Sequence, residues 1–142
     1  MPNLKKNSKI RKKRKQTLIR RKSQETKTFE LKLDKSKISK TKLAILNRLF
    51  LEAKWFTNYI ISNGIFNFKP HADYKVKTVP VKVGGAFQER KIQVLSSQMK
   101  QALIKRLQDN VIALSKLKEK GMKVGKIKFV KVVHSIPLMQ YG

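Results

Sequence analysis

The sequence predicts an α+β fold, and three observations carry that reading. Two stretches of helical periodicity, near residues 40–62 and 97–119, lie between stretches of strand character. A Gly84-Gly85 step separates two runs rich in β-branched residues. The first 26 residues have a composition unlike the rest, basic and poor in apolar side chains. The order is basic arm, strand, helix, hairpin, helix, strand.

The arm comes first. Eleven of the first 22 residues are Lys or Arg, and the first carboxylate is Glu25. Lys9-Ile10-Arg11-Lys12-Lys13-Arg14-Lys15 leads on to Arg20-Arg21-Lys22. With Met1, Leu4, Ile10, Leu18 and Ile19 as its only large apolar residues, the segment 1–26 cannot offset the entropy of ordering its chain. It is expected to be mostly disordered until it meets a ligand.

From 27 to 34 the residues alternate. Phe29, Leu31 and Leu33 fall on one face and Thr28, Glu30 and Lys32 on the other, the period of a half-buried strand. The first helix follows, with Ser39 or Thr41 as its cap. Its stripe is Leu43, Leu46, Leu49, Phe50, Ala53, Phe56 and Ile60, and Ser62-Asn63-Gly64 is its stop. Residues 64–73 read as irregular, with Phe66 and Phe68 as anchors and Pro70 blocking regular structure. The runs 74–83 and 87–95 read as a hairpin turned at Gly84-Gly85, with Pro80 marking an edge strand. Ser96-Ser97 caps the second helix, whose stripe runs Met99, Leu103, Leu107, Asn110, Val111, Leu114, Leu117 and whose stop is Gly121. Residues 122–133 again carry strand character. The apolar Ile136-Pro137-Leu138-Met139 so near the last residue leads us to expect a piece of a longer protein, whether a fragment, a truncated gene or half of a split one.

Composition excludes several classes. The chain carries 35 basic and 8 acidic side chains, a net charge of +27, and the residues after the first 22 still hold 24 of those cations against all 8 acids. A body this self-repelling calls for a polyanion, and nucleic acid is the one expected. An anionic membrane is the rival, but the arm lacks the apolar anchors of a surface helix, and no apolar run approaches the ~18 residues of a membrane span. The absence of cysteine removes thiol nucleophiles and Cys-based zinc sites and fits a reducing cytoplasm.

No catalytic set is visible. The carboxylates are dispersed, His71 and His134 stand alone, and no glycine motif makes a phosphate loop. Glu52 and Asp109 are expected on helix surfaces as ion-pair partners of neighbouring cations. The binding candidates are cationic: Lys12, Lys13, Arg14, Arg20 and Arg21 in the arm; Lys42, Arg48 and Lys54 on the first helix; Lys100, Lys105 and Arg106 on the second; Lys126 and Lys128 in the last strand. Together they argue for a basic channel that follows phosphates. Tyr141, Trp55, Tyr59 and Tyr74 are candidates for stacking or hydrogen bonding to bases, with Trp55 at the border of the core stripe.

Three blocks carry a family resemblance. Leu46-Asn47-Arg48-Leu49-Phe50-Leu51-Glu52-Ala53, followed by Asn58-Tyr59-Ile60, resembles the early helix of the TnpB/OrfB transposon proteins and the miniature type V CRISPR effectors. Leu95-Ser96-Ser97-Gln98-Met99-Lys100-Gln101-Ala102 resembles the start of that family's second helix. Gly125-Lys126-Ile127-Lys128-Phe129, continuing to Ser135-Ile136-Pro137-Leu138, resembles the strand region that follows.

The resemblance implies the N-terminal part of an RNA-guided DNA nuclease. It implies a small, wedge-like β-barrel with strands at 27–34 and 122–142, interrupted by a helical and hairpin recognition insertion at 40–119. It implies structured guide RNA and target DNA as partners. It also implies a prokaryotic cytoplasm, with association to the nucleoid through DNA. The family's RuvC-like catalytic half and its zinc ribbon lie outside this sequence. The chain alone is therefore expected to be no enzyme and to need no cofactor, with Mg²⁺ and Zn²⁺ belonging to the missing half. The alternatives are a structural RNA-binding protein such as a ribosomal protein, which fits the size and charge, and a helix-turn-helix regulator. The long gap between the two helices disfavours the regulator.

Overall fold

In the computed structural model, residues 4–25 and 27–138 are described. The fold is α+β, with four α-helices and one open, two-stranded antiparallel sheet among the described residues, where no closed barrel is formed. The chain divides into two units, Met1–Ser36 and Lys37–Gly142.

In the first unit the expected disordered arm is instead a helix, α1 (Leu4–Lys22). The physical reason lies in its residues: no Gly or Pro interrupts them, and Lys, Arg, Gln and Leu are good helix formers. Arg20, Arg21 and Lys22 sit in the last turn, where cations suit the negative end of the helix dipole. No side chain from residue 11 to 22 is buried, so local propensity rather than a core holds this helix.

Residues 27–34 are not the expected strand. The alternation is present, but among the described residues no second strand lies beside it to supply a ladder. Phe29 is 83% and Leu31 94% exposed, and every residue from 27 to 34 is exposed, so neither face is covered. The segment ends at Asp34, whose carboxylate accepts from the Ser36 backbone N–H and hydroxyl as the chain enters a 3₁₀ turn at Lys35–Lys37.

The second unit is built on α2 (Lys40–Ser62), which covers the residues expected. Ser39 caps it by accepting from the Lys42 N–H. At its other end the Asn63 side chain donates to the Tyr59 carbonyl, and Gly64 takes a φ of 86°. That positive φ favours glycine, and a Cβ there would also displace the side-chain nitrogen of Asn67, 2.8 Å away. Two short elements follow: a 3₁₀ turn, Ile65–Asn67, and α3 (Pro70–Asp73). Pro70 does not abolish regular structure as expected but occupies the first turn of α3, where its missing N–H costs nothing. Of the two expected anchors, Phe68 is buried edge-on against Tyr59, with ring centroids 5.5 Å apart, while Phe66 stays exposed.

The hairpin is β1 (Thr78–Val83) and β2 (Ala86–Lys91), paired from Val83↔Ala86 to Thr78↔Lys91. Gly84 and Gly85 have φ of 57° and 93°, the double positive φ of a two-residue hairpin turn. The second long helix, α4 (Ser97–Glu119), also covers the residues expected. Ser96 accepts from the Met99 N–H at its start. At its end Gly121 N–H bonds to Lys118 O and Met122 N–H to Leu117 O, a Schellman closure with Gly121 in the left-handed region.

The core lies where α2, the hairpin and α4 meet. Ala53, Phe56 and Ile60 of α2 pack with Val79, Ile92 and Leu95 and with Leu103 and Ile104 of α4. The stripe on α4 buries only its N-terminal part; residues 112–120 are all exposed, and Leu114 and Leu117 reach no core. Residues 122–138 form no strand either. Their backbone is pinned by side chains instead of a ladder. The Asn58 amide exchanges two hydrogen bonds with Val130, at 3.1 and 2.7 Å, and Arg106 donates to the Ser135 hydroxyl and carbonyl, both at 3.0 Å.

One carboxylate organises the unit. Glu52 is expected on a helix surface but is fully buried. Its Oε2 accepts from the backbone N–H groups of Gln93, Val94 and Leu95 at 2.8–3.0 Å, and its Oε1 from Gln93 and from Arg48 Nε at 2.9 Å. This explains why the hairpin ends at Lys91 and not at the expected 95. After Ile92, which still donates to Lys77 O, the N–H groups turn to the carboxylate. Burial pushes the Glu52 carboxyl up, but the Arg48 guanidinium and the three backbone donors outweigh it and hold the group below its ordinary value.

A folded-state value below the unfolded one means that the stabilisation is present above the ordinary carboxylate range and is lost as pH falls through the folded value. Glu52→Gln is therefore expected to destabilise the second unit by about 2–4 kcal/mol at neutral pH. It should also flatten the acid limb of the stability profile. Urea unfolding of both proteins between neutral and acid pH checks this; unchanged stability would show that Glu52 is not the fastening described.

Candidate nucleic-acid interface

A cleft of about 830 Å³ opens beside the Glu52 fastening. It is lined by Tyr74, Lys75, Lys77 and Thr78 before and in β1, by Lys91, Ile92 and Gln93 leaving β2, and by Leu95, Ser96, Ser97 and Lys100 at the start of α4. Four lysines share this lining with no carboxylate. Lys100 is 6% exposed, and its Nζ donates to the Val76 carbonyl at 2.7 Å. Burial pushes its ammonium down from the ordinary lysine value, the nearby Glu52 carboxylate raises it, and the Lys77 charge lowers it again. Lys75, Lys77 and Lys91 are exposed and form no ion pair among the described residues. The N-terminal end of a 23-residue helix adds positive potential to the same place. The result is a concave surface of one sign with an unneutralised charge, which is suited to phosphate oxygens.

The sequence candidates fall in different places. Lys100 is the one at the base of this cleft; Lys75, Lys77 and Lys91 beside it were not among those singled out. Arg48 is occupied inside the unit: it bonds Glu52, donates to the Lys91 carbonyl at 3.2 Å and lies 4.8 Å from the centre of the Trp55 ring. Arg106 is likewise tied to Ser135. Lys105 pairs on the surface with Asp109 at 3.3 Å, the arrangement expected of Asp109. Lys54 is half-buried beside Trp55 and Tyr59 in a second, smaller groove. Lys42, Lys126 and Lys128 are exposed. In the first unit Lys12, Lys13, Arg14, Arg20 and Arg21 are exposed on α1, where Lys13, Arg14 and Arg21 share one shallow groove with Thr17 and Leu18. Tyr141 lies outside the described residues.

Lys75, Lys77 and Lys91 escape a sequence reading because they converge only when the hairpin closes. A signal was nevertheless present: Lys75 and Lys77 alternate with Val76 in a run whose apolar face must be buried, so the lysines share the opposite face. Among the described residues no group of His, Asp or Glu is placed to hold a metal ion, and no helix is long and apolar enough to cross a membrane. No family model matches the chain, and neither a curated protein nor a solved structure matches it.

A cleft of like charges carries a repulsion that removal of one member relieves. Lys77→Gln is expected to raise the melting midpoint by about 1–4 °C at low ionic strength, with the gain vanishing in salt. Thermal melts at both ionic strengths check this, and a lowered midpoint would show that Lys77 serves packing and not a charge cluster.

Proposed function

We propose that this chain binds nucleic acid through its cationic surfaces, as the guide-RNA- and DNA-holding N-terminal portion of a TnpB/OrfB-like, RNA-guided DNA endonuclease. The observation that carries the binding is the lysine cleft, three exposed lysines around one concavity with Lys100 at its base and no carboxylate in its lining. The net charge of +27 and the exposed basic face of α1 support it. A helix so loaded with cations repels itself, and a phosphate backbone along it relieves that repulsion.

The portion of the nuclease is assigned on the three sequence blocks. In this reading residues 27–34 and 122–142 supply strands of a small wedge-like barrel, completed by strands from outside this sequence. The uncovered apolar side chains of Phe29, Leu31 and Leu33 fit that role, since a face with this pattern stays exposed only until a sheet partner arrives. The helices and hairpin between them form the recognition insertion. Cutting belongs to a separate RuvC-like half with its own metal ions, so the chain alone binds structured RNA and leaves DNA intact in Mg²⁺.

The test is affinity for a structured RNA as a function of salt. The logarithm of the binding constant is expected to fall linearly with the logarithm of salt concentration, and Lys75→Gln/Lys77→Gln/Lys91→Gln to make that slope shallower by about 2–3. An unchanged slope would remove the cleft from the interface, and salt-independent binding would remove the electrostatic reading altogether.

A further inference from the structure

A second groove, about 300 Å³ in volume, lies between α2, the hairpin and the segment after α4. Four aromatic rings line it: Trp55 and Tyr59 from α2, Phe87 from β2 and Phe129 from the last segment. Lys54 and Lys82 stand among them, and the lining contains no carboxylate. Neither lysine forms an ion pair among the described residues.

Two of the rings are held out towards solvent at a cost. Phe87 is 72% and Phe129 62% exposed. Phe87 is fixed by the ladder, directly opposite Lys82 in the hairpin register. Phe129 is fixed by the exchange of two hydrogen bonds between Asn58 and its neighbour Val130, which clamps this otherwise irregular segment to α2. Trp55 is half-buried, with the Arg48 guanidinium against its ring, and Arg48 is itself held by Glu52. Phe87 and Phe129 are thus positioned by hydrogen bonds of the neighbouring backbone, while Trp55 and Tyr59 are packed against the core.

Exposed, rigidly placed aromatic rings with cations at the rim suit a flat, apolar ring attached to an anion. We propose that this groove takes an unpaired nucleobase, stacked among Trp55, Phe87 and Phe129, while Lys54 and Lys82 meet the phosphates on either side of it. The inference deepens the nucleic-acid reading above and rests on it. The Asn58 amide is committed to Val130 and so is not free to read a base edge. The groove is separate in its residues from the lysine cleft and supplies what that cleft cannot, a distinction between single strands and duplex.

Trp55 is the only tryptophan of the chain, so its fluorescence reports on this groove alone. The experiment titrates the full chain with a short single-stranded oligothymidylate and with an abasic oligonucleotide of equal length and charge. The base-bearing strand is expected to quench Trp55 and to bind about tenfold more tightly than the abasic one. Phe87→Ala and Phe129→Ala, at exposed positions outside the core, should each remove most of that difference while leaving abasic binding unchanged. Equal quenching and affinity for both strands would overturn the base site and leave phosphate binding standing. Absence of binding to either strand, and to structured RNA, would overturn the nucleic-acid reading as well. A change of Trp55 emission with protein concentration, and none with either strand, would mean that a second copy fills the groove, and would also overturn the proposal.

Discussion

A single buried carboxylate holds the larger unit in register. Glu52 brings together a helix, the exit of a hairpin and the entrance of a second helix by accepting from three consecutive backbone N–H groups and from Arg48. Those three N–H groups have left the ladder and have not yet entered α4, so without Glu52 they would lose their partners, and that of Leu95 would be a buried donor left unpaired. The carboxylate in turn needs all of them, because burying an ion is tolerable only with its lone pairs occupied. Each side fixes the other, and the turn at 92–96 has one geometry as a result. That geometry sets the direction of α4 and places Lys100 beneath the hairpin.

The same fastening shapes both grooves. Glu52 raises the tendency of Lys100 to stay charged against its burial, while Arg48, held by Glu52, lies over Trp55. One of the eight acids of the chain therefore acts on Lys100 at the base of one groove and, through Arg48, on the ring that lines the other. The exposed lysines Lys75, Lys77 and Lys91 are a different matter. The lysines around the cleft gain no such partner. A protein that wanted only stability would place an acid among them, and their uncompensated repulsion is the physical argument for an anion from outside.

Much of the scaffold was legible in the sequence because short-range rules decide it. The stripes of α2 and α4, their Ser39 and Ser96 caps and the Gly84-Gly85 turn follow from periodicity and local backbone chemistry. What escaped depends on partners distant in the chain. Glu52 read as a surface ion-pair residue because nothing nearby announces that residues 93–95, some forty positions on, will need an acceptor. Residues 27–34 and 122–133 have the pattern of strands, but a strand exists only with a neighbour, and among the described residues none is present. The arm read as disordered on its lack of a core, whereas α1 follows from helix propensity without one. Of the site, the abundance of cations was plain, yet which of them gather was not. Arg48 and Arg106 are taken by internal partners, and Lys75, Lys77 and Lys91 converge on Lys100 only through the hairpin.

The central claim is that the lysine cleft faces a phosphate backbone. Footprinting with an amine-acylating reagent, read residue by residue by mass spectrometry with and without bound structured RNA, tests it most directly. Lys75, Lys77 and Lys91 are expected to lose reactivity in the complex, while Lys116 and Lys118, in the exposed last turns of α4, keep theirs. Full reactivity of the three cleft lysines in a saturated complex would contradict it.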